Sequence, residues 1–147
     1  MEIFAEMFRQ AYWANARVIN WIGNNQKDAD AINKLMCHIL NAETIWLNRV
    51  LQSEYDKDRF RIHGLDKLPG INLDNKTGFL SLLSRDPKEI IAYELMNATS
   101  AQSKIKDILS HVITHGFHHR GQMAMLASNM KLEFPGLSFI EYTREVP

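Results

Sequence analysis

The chain has 147 residues, enough for one domain that buries about two-thirds of the surface its unfolded form would expose. Seventeen Lys and Arg balance seventeen Asp and Glu, which argues against nucleic acid as the main partner, because binding a phosphate backbone needs a basic surplus. One cysteine, Cys37, excludes an internal disulfide and suits a reducing compartment, and no apolar run is long enough for a membrane span.

The opening stretch, with Glu2, Glu6 and no basic region ahead of an apolar one, is unlike a signal peptide, so a cytoplasmic protein is expected. Residues 3–22 predict a helix: Phe4, Phe8, Ala11, Ala14, Val18 and Ile22 recur at three- and four-residue steps, and Gly23-Asn24-Asn25 stops it. A second helix is predicted from Asp28 or Asp30, both good caps, to about Leu51, with Ile32, Met36, Ile39, Leu47 and Val50 in its stripe. Residues 52–71 are polar, contain Gly64, Pro69 and Gly70, and read as a long loop; its Lys57–Arg61 patch and His63 read as solvated. A short third helix is predicted over 73–84, interrupted by Gly78, with Pro87 beyond it. Ile90–Leu95 is short and β-branched and is followed by a turn at 97–100, so a small hairpin or extended loop is expected. Residues 103–130 predict the last long helix, with Leu109, Val112, Ile113 and Ala124 on its core side. After Pro135-Gly136, a tail with Leu137, Phe139, Ile140 and Tyr142 is expected to pack back on the rest. The whole reads as one all-α domain, residues 1–147, a four-helix bundle with a short third helix.

Four of the six histidines fall between His111 and His119. With Leu109 as the reference direction of the last helix, His119 lies about 80° off and His115 about 120° off, while His118 points close to the opposite face. Residues four apart share a helix face, so His115 and His119 are able to reach one metal ion. Two ligands from one turn need a third from elsewhere, and His38, at the margin of the second helix's stripe, is the candidate. No Glu lies between the paired histidines, so this is not the HExxH arrangement of metalloproteases. His111 and His118 read as neighbouring or surface groups.

Two charged residues fall in the middle of apolar stripes, Glu43 on the second helix and Arg120 on the last. An unpaired buried charge is very costly, so the two are expected to meet, unless Arg120 reaches solvent along its aliphatic stem. Gly116, also mid-stripe, is expected to admit a close helix, and Cys37 reads as a small buried residue. Trp13, Trp21, Trp46, Phe8 and Tyr12 offer more large apolar surface than a small core requires, which predicts an interface.

Residues 107–122, DILSHVITHGFHHRGQ, closely resemble the signature of the DinB-like (DinB/YfiT-type) proteins. His38-Ile39-Leu40-Asn41-Ala42-Glu43 with Trp46 is similar to that family's other motif, and 139–145, FIEYTRE, to its usual C-terminal end. The resemblance implies a four-helix bundle, commonly a homodimer, with a divalent metal, zinc or nickel, on His38, His115 and His119. It also implies relatives that are thiol-dependent transferases or isomerases. Three histidines that leave a metal position open allow thiol transfer or hydrolysis of a small substrate, and the alternative is a stress-response protein that binds metal or ligand without turnover. The partners expected are a second copy of the chain and a small thiol or other small molecule. One departure is that the segment available for the third helix is shorter than that family usually has.

Overall fold

The computed structural model describes residues 1–146. Among them are five helices and a two-stranded antiparallel sheet: α1 Glu2–Asn24, α2 Asp30–Leu51, α3 Leu68–Leu82, β1 Ile90–Glu94, β2 Ser100–Lys104, α4 Ile105–Asn129 and α5 Phe139–Glu145. The first two helices and α4 follow the predicted periodicity closely. Neither Asp28 nor Asp30 caps α2: Ala29 holds the cap position without a side-chain bond, and Asp30 sits in the first turn, paired to Lys34 at 2.7 Å.

The third helix begins earlier than predicted. Pro69 and Gly70 lie inside it, because proline in the first turn removes an N–H that has no partner there anyway. Gly78 does not interrupt it either. A Cβ at Gly78 would collide with the Leu47 side chain, so glycine lets α3 lie directly on α2. Gly78→Ala is therefore expected to force Leu47 off its packing and destabilise the chain by about 1–3 kcal/mol, measured by urea unfolding.

The hairpin forms, with Ile91 opposite Ser103 and Tyr93 opposite Ala101. Its second strand replaces the predicted first turn of the last helix. Ser103 takes an extended conformation, its Oγ 2.9 Å from the Tyr93 hydroxyl, and Lys104 is the extended cap from which α4 starts. The tail holds a further seven-residue helix, α5, opened by a capping box in which Ser138 and Glu141 bond reciprocally. Tyr142 is buried and Leu137 and Phe139 partly so, but Ile140, expected to pack back, is 57% exposed.

The interior is two apolar clusters divided by a polar layer. One gathers Phe8 and Tyr12, Leu47 and Val50, Phe79, and Ile105 to Ile113. The other gathers Val18 to Ile22, Ile32 to Leu40, Leu68, Met123 and Ala127. Each of α1–α4 places buried polar residues between these two sets: Asn15 in α1, Glu43 in α2, Asn72 and Asn75 in α3, Arg120 in α4. Glu43 and Arg120 do lie in this interior, but they do not meet directly. Asn15 stands between them, donating to Glu43 Oε1 at 3.3 Å and accepting from Arg120 Nη1 at 2.7 Å. Asn75 donates to Glu43 Oε2 at 3.2 Å. Burial pushes the Glu43 carboxyl from 4.5 up to about 7, against the opposing pull of Arg120 and the two asparagines. Gly116 makes room for this layer, in place of the expected close helix: the atom nearest to a Cβ there would be Arg120 Nη1, at 2.9 Å. Ala124, placed on the core side by periodicity, is exposed.

The aromatic residues expected at an interface have partners within the chain. Phe8 and Tyr12 are buried, Trp13 meets Tyr142 edge-on at 5.7 Å, and Trp21 meets Phe134 at 5.2 Å. Trp46 meets Tyr93 at 5.1 Å. The C-terminal segment accounts for two of these contacts, since residues 134–142 lie along α1.

Candidate metal centre

His115 and His119 stand one turn apart on α4, and α2 packs against α4 so that His38 faces them. The three ring Nε2 atoms converge: His38 to His115 is 3.2 Å and His119 to His115 is 3.1 Å. Zinc with nitrogen ligands at about 2.0–2.1 Å and tetrahedral angles requires nitrogen atoms about 3.3 Å apart, so this triangle has the size of a ligand set.

The outer nitrogens determine what the inner ones offer. His38 Nδ1 donates to the Arg59 carbonyl at 3.1 Å, and His119 Nδ1 donates to Gln122 Oε1 at 2.7 Å. Each ring thus carries its proton on the outside and presents a bare Nε2 lone pair to the centre, the tautomer a metal ligand needs. Burial, with smaller contributions from the neighbouring histidines, lowers His115 to about 3, so its ring is neutral at pH 7. Three bare or nearly bare lone pairs repel one another, and a cation between them relieves that repulsion. The donor set therefore fits a divalent metal ion.

Gln122 holds His119 with its oxygen while its amide nitrogen lies 3.2 Å from His118 Nε2. Gln122→Ala is expected to free the His119 ring and weaken metal binding about 10–100-fold, measured by competition with a chromophoric chelator. His118 is exposed and stays outside the triad, as the helical geometry predicts.

The loop between α2 and α3 takes a larger part than its polar composition suggests. Besides the Arg59 carbonyl, it stacks the Phe60 ring on His38 at 5.1 Å, 15° from parallel. Asn41 clamps it by donating to the Arg61 carbonyl at 2.8 Å. His63, expected to be solvated, is half-buried, with Nε2 2.6 Å from Asn41 Oδ1. Two Asx turns shape the approach: Asp56 accepts from the Asp58 N–H and Asp58 from the Phe60 N–H, each at 2.9 Å. Asn41, one turn past His38, was the available signal. Cys37 is buried behind the loop and accepts from the His63 N–H at 3.5 Å; burial raises its thiol pKa, so it is not poised as a nucleophile.

Beside the triangle lies a recess of about 320 Å³ with His38 and His115 in its wall. His111 stands between this wall and Trp46, its ring 5.2 Å from the indole and 5.7 Å from His115. Arg49, read from sequence only as part of α2, is buried there, its Nη2 donating to the Glu94 carbonyl at 3.0 Å.

Residues 20–144 match the model of the DinB family. The chain belongs to the DinB family. The match takes in α2 with His38, the hairpin and all of α4, so the three converging histidines lie within it. No curated protein matches the chain. Among the described residues, no helix of this DinB-family chain is long and apolar enough to cross a membrane.

Proposed function

We propose that this protein is a metal-dependent enzyme in which His38, His115 and His119 hold one divalent ion, zinc or nickel, and whose substrates enter the recess beside them. The observation that carries this reading is the convergence of three Nε2 atoms, with the outer nitrogens of His38 and His119 tied to acceptors. A three-histidine set leaves a coordination position free, and an ion held this way acts as a Lewis acid and lowers the pKa of a thiol or water that reaches it. The chain's own contribution is to orient the rings, through the Arg59 carbonyl, Gln122 and the stacked Phe60, and to leave the recess side open. The recess wall includes no Asp or Glu. A nucleophile that needs a carboxylate base is therefore poorly served, and transfer of a small thiol to an electrophile is favoured over hydrolysis. The same lack of a base supports the alternative, a stress-response protein that binds metal or ligand without turnover.

The remainder of the reading is a single-domain four-helix bundle of α1–α4 over residues 1–147, acting in the cytoplasm as a homodimer. The helix packing and the DinB match support the bundle. The dimer rests on the family resemblance, since the aromatic residues are occupied within the chain. Sedimentation at micromolar concentration, with metal and after chelation, tests it: a monomer under both conditions removes it. For the enzyme, metal analysis of purified protein comes first, then a screen of small thiols with electrophiles. One bound ion and chelator-sensitive turnover are expected; a stoichiometric metal with no turnover favours the binding protein.

A further inference from the structure

The recess beside the three histidines is electropositive before any metal enters it. Arg49 reaches it from α2 and Arg59 from the loop, and no carboxylate lines it. Arg49 donates from Nε to the Tyr55 hydroxyl at 3.2 Å and from Nη2 to the Glu94 carbonyl at 3.0 Å. Both acceptors are uncharged, and among the described residues Nη1 has no partner. Its guanidinium lies 4.6 Å from the Trp46 ring centre, which fixes its orientation. Arg59 is exposed, lies 4.9 Å over the Phe60 ring, and joins no ion pair among the described residues. Of the acids near in the chain, Glu94 pairs with Lys57 and Asp56 with Arg61, each at 2.8 Å, while Asp58, next to Arg59, turns its carboxylate to the Phe60 N–H at 2.9 Å and forms no ion pair with Arg59. Apart from the histidines His38, His111 and His115, the rest of the wall is apolar and includes Trp46, Leu95 and Met96, the last two 38% and 53% exposed.

Two guanidiniums without a counter-charge attract an anion, and the planar fork of arginine matches a carboxylate. The volume is at the small end for ligand pockets, which suits a molecule of about one ring with a short chain. We propose that this recess binds a small organic carboxylate with a flat apolar body, its carboxylate held by Arg49 and Arg59 and its body lying against Trp46, Leu95 and Met96. This names the substrate class of the site under Proposed function, and rests on that reading only in placing the ligand beside a metal. Arg49 and Arg59 are binding residues here; they take no part in bond making.

Calorimetric titration with 4-phenylbutanoate and with its neutral amide tests the assignment. It is run on zinc-loaded protein, on chelator-treated protein, and on Arg59→Gln and Arg49→Gln variants whose folding is checked by circular dichroism. The acid is expected to bind at least tenfold more tightly than the amide with or without zinc, and Arg59→Gln to remove most of that preference. Equal binding of acid and amide overturns the proposal. So does a preference that survives Arg59→Gln in full, or one seen only with zinc, which would put the carboxylate on the metal. The chelator-treated arm keeps the two readings apart: failure to take up zinc there leaves the arginine preference measurable. Arg59 is exposed, so its variant decides the matter even if Arg49→Gln does not fold.

Discussion

His115→Ala is expected to abolish stoichiometric binding of divalent metal. The Nε2 of His115 lies 3.2 Å from that of His38 and 3.1 Å from that of His119, so it is common to both close nitrogen pairs. Disturbing a residue that merely orients a ligand costs about 10–100-fold in affinity, so removing a ligand exceeds that range. His38→Ala and His119→Ala should follow the same course, and His118→Ala should leave affinity within a few-fold of wild type. Stability supplies a second readout. Ligand at a thousand times its dissociation constant stabilises the folded state by about 4 kcal/mol, so zinc should raise the unfolding midpoint of wild type and of His118→Ala, and not that of His115→Ala. Loss of metal from the His118 variant alone would mean that the wrong face of α4 had been assigned.

The second large effect belongs to the polar layer. Arg120 is 3% exposed and Glu43 3% exposed, joined through Asn15. Removing one charge leaves the other buried without compensation, a change that typically costs about 3–5 kcal/mol, so Arg120→Met should destabilise the protein by that amount near pH 8. The loss should shrink toward pH 5, where Glu43 is able to take up a proton. Wild type carries the same signature in weaker form. The Glu43 carboxyl is raised chiefly by burial from 4.5 to about 7, so the folded state binds its proton more tightly than the unfolded state does. Stability from this group is therefore greatest below pH 4.5, falls as pH rises to about 7, and is level above. The fall is on the order of 3 kcal/mol. Glu43→Gln should lack it. Urea unfolding of wild type, Glu43→Gln, Arg120→Met and the double variant from pH 5 to 8 measures this. Identical pH profiles for wild type and Glu43→Gln would show that Glu43 does not titrate in the folded state. Full additivity of the two substitutions would show that the layer does not couple them.

The sequence made three helices and the His115–His119 pair legible for the same reason: both depend on periodicity within one helix. The angular positions of His115, His118 and His119 follow from 3.6 residues per turn, and Glu43 and Arg120 stand out because charge interrupts an apolar stripe. What stayed hidden depends on contacts between distant segments. Asn15, Asn72 and Asn75 look like ordinary helix-surface residues until four helices bring them to one level. Arg59 and Phe60 belong to a stretch whose composition is that of a solvated loop, and only the clamp from Asn41 places them on His38. Pro69 and Gly70 read as breakers, but in the first turn of α3 neither breaks anything. The strand Ser100–Lys104 has no β-branched residue, and its partner β1 holds it. The capping box of α5 was readable as Ser138 followed three residues later by Glu141.

The most direct test of the three-histidine centre is X-ray absorption spectroscopy of the zinc-loaded protein. Three imidazole nitrogens at about 2.0–2.1 Å, with the multiple-scattering pattern of histidine rings and no sulfur in the first shell, are expected. A sulfur scatterer at about 2.3 Å, which only Cys37 or a methionine could supply, or a shell of oxygen atoms without ring scattering, would contradict the assignment of His38, His115 and His119 as the metal centre.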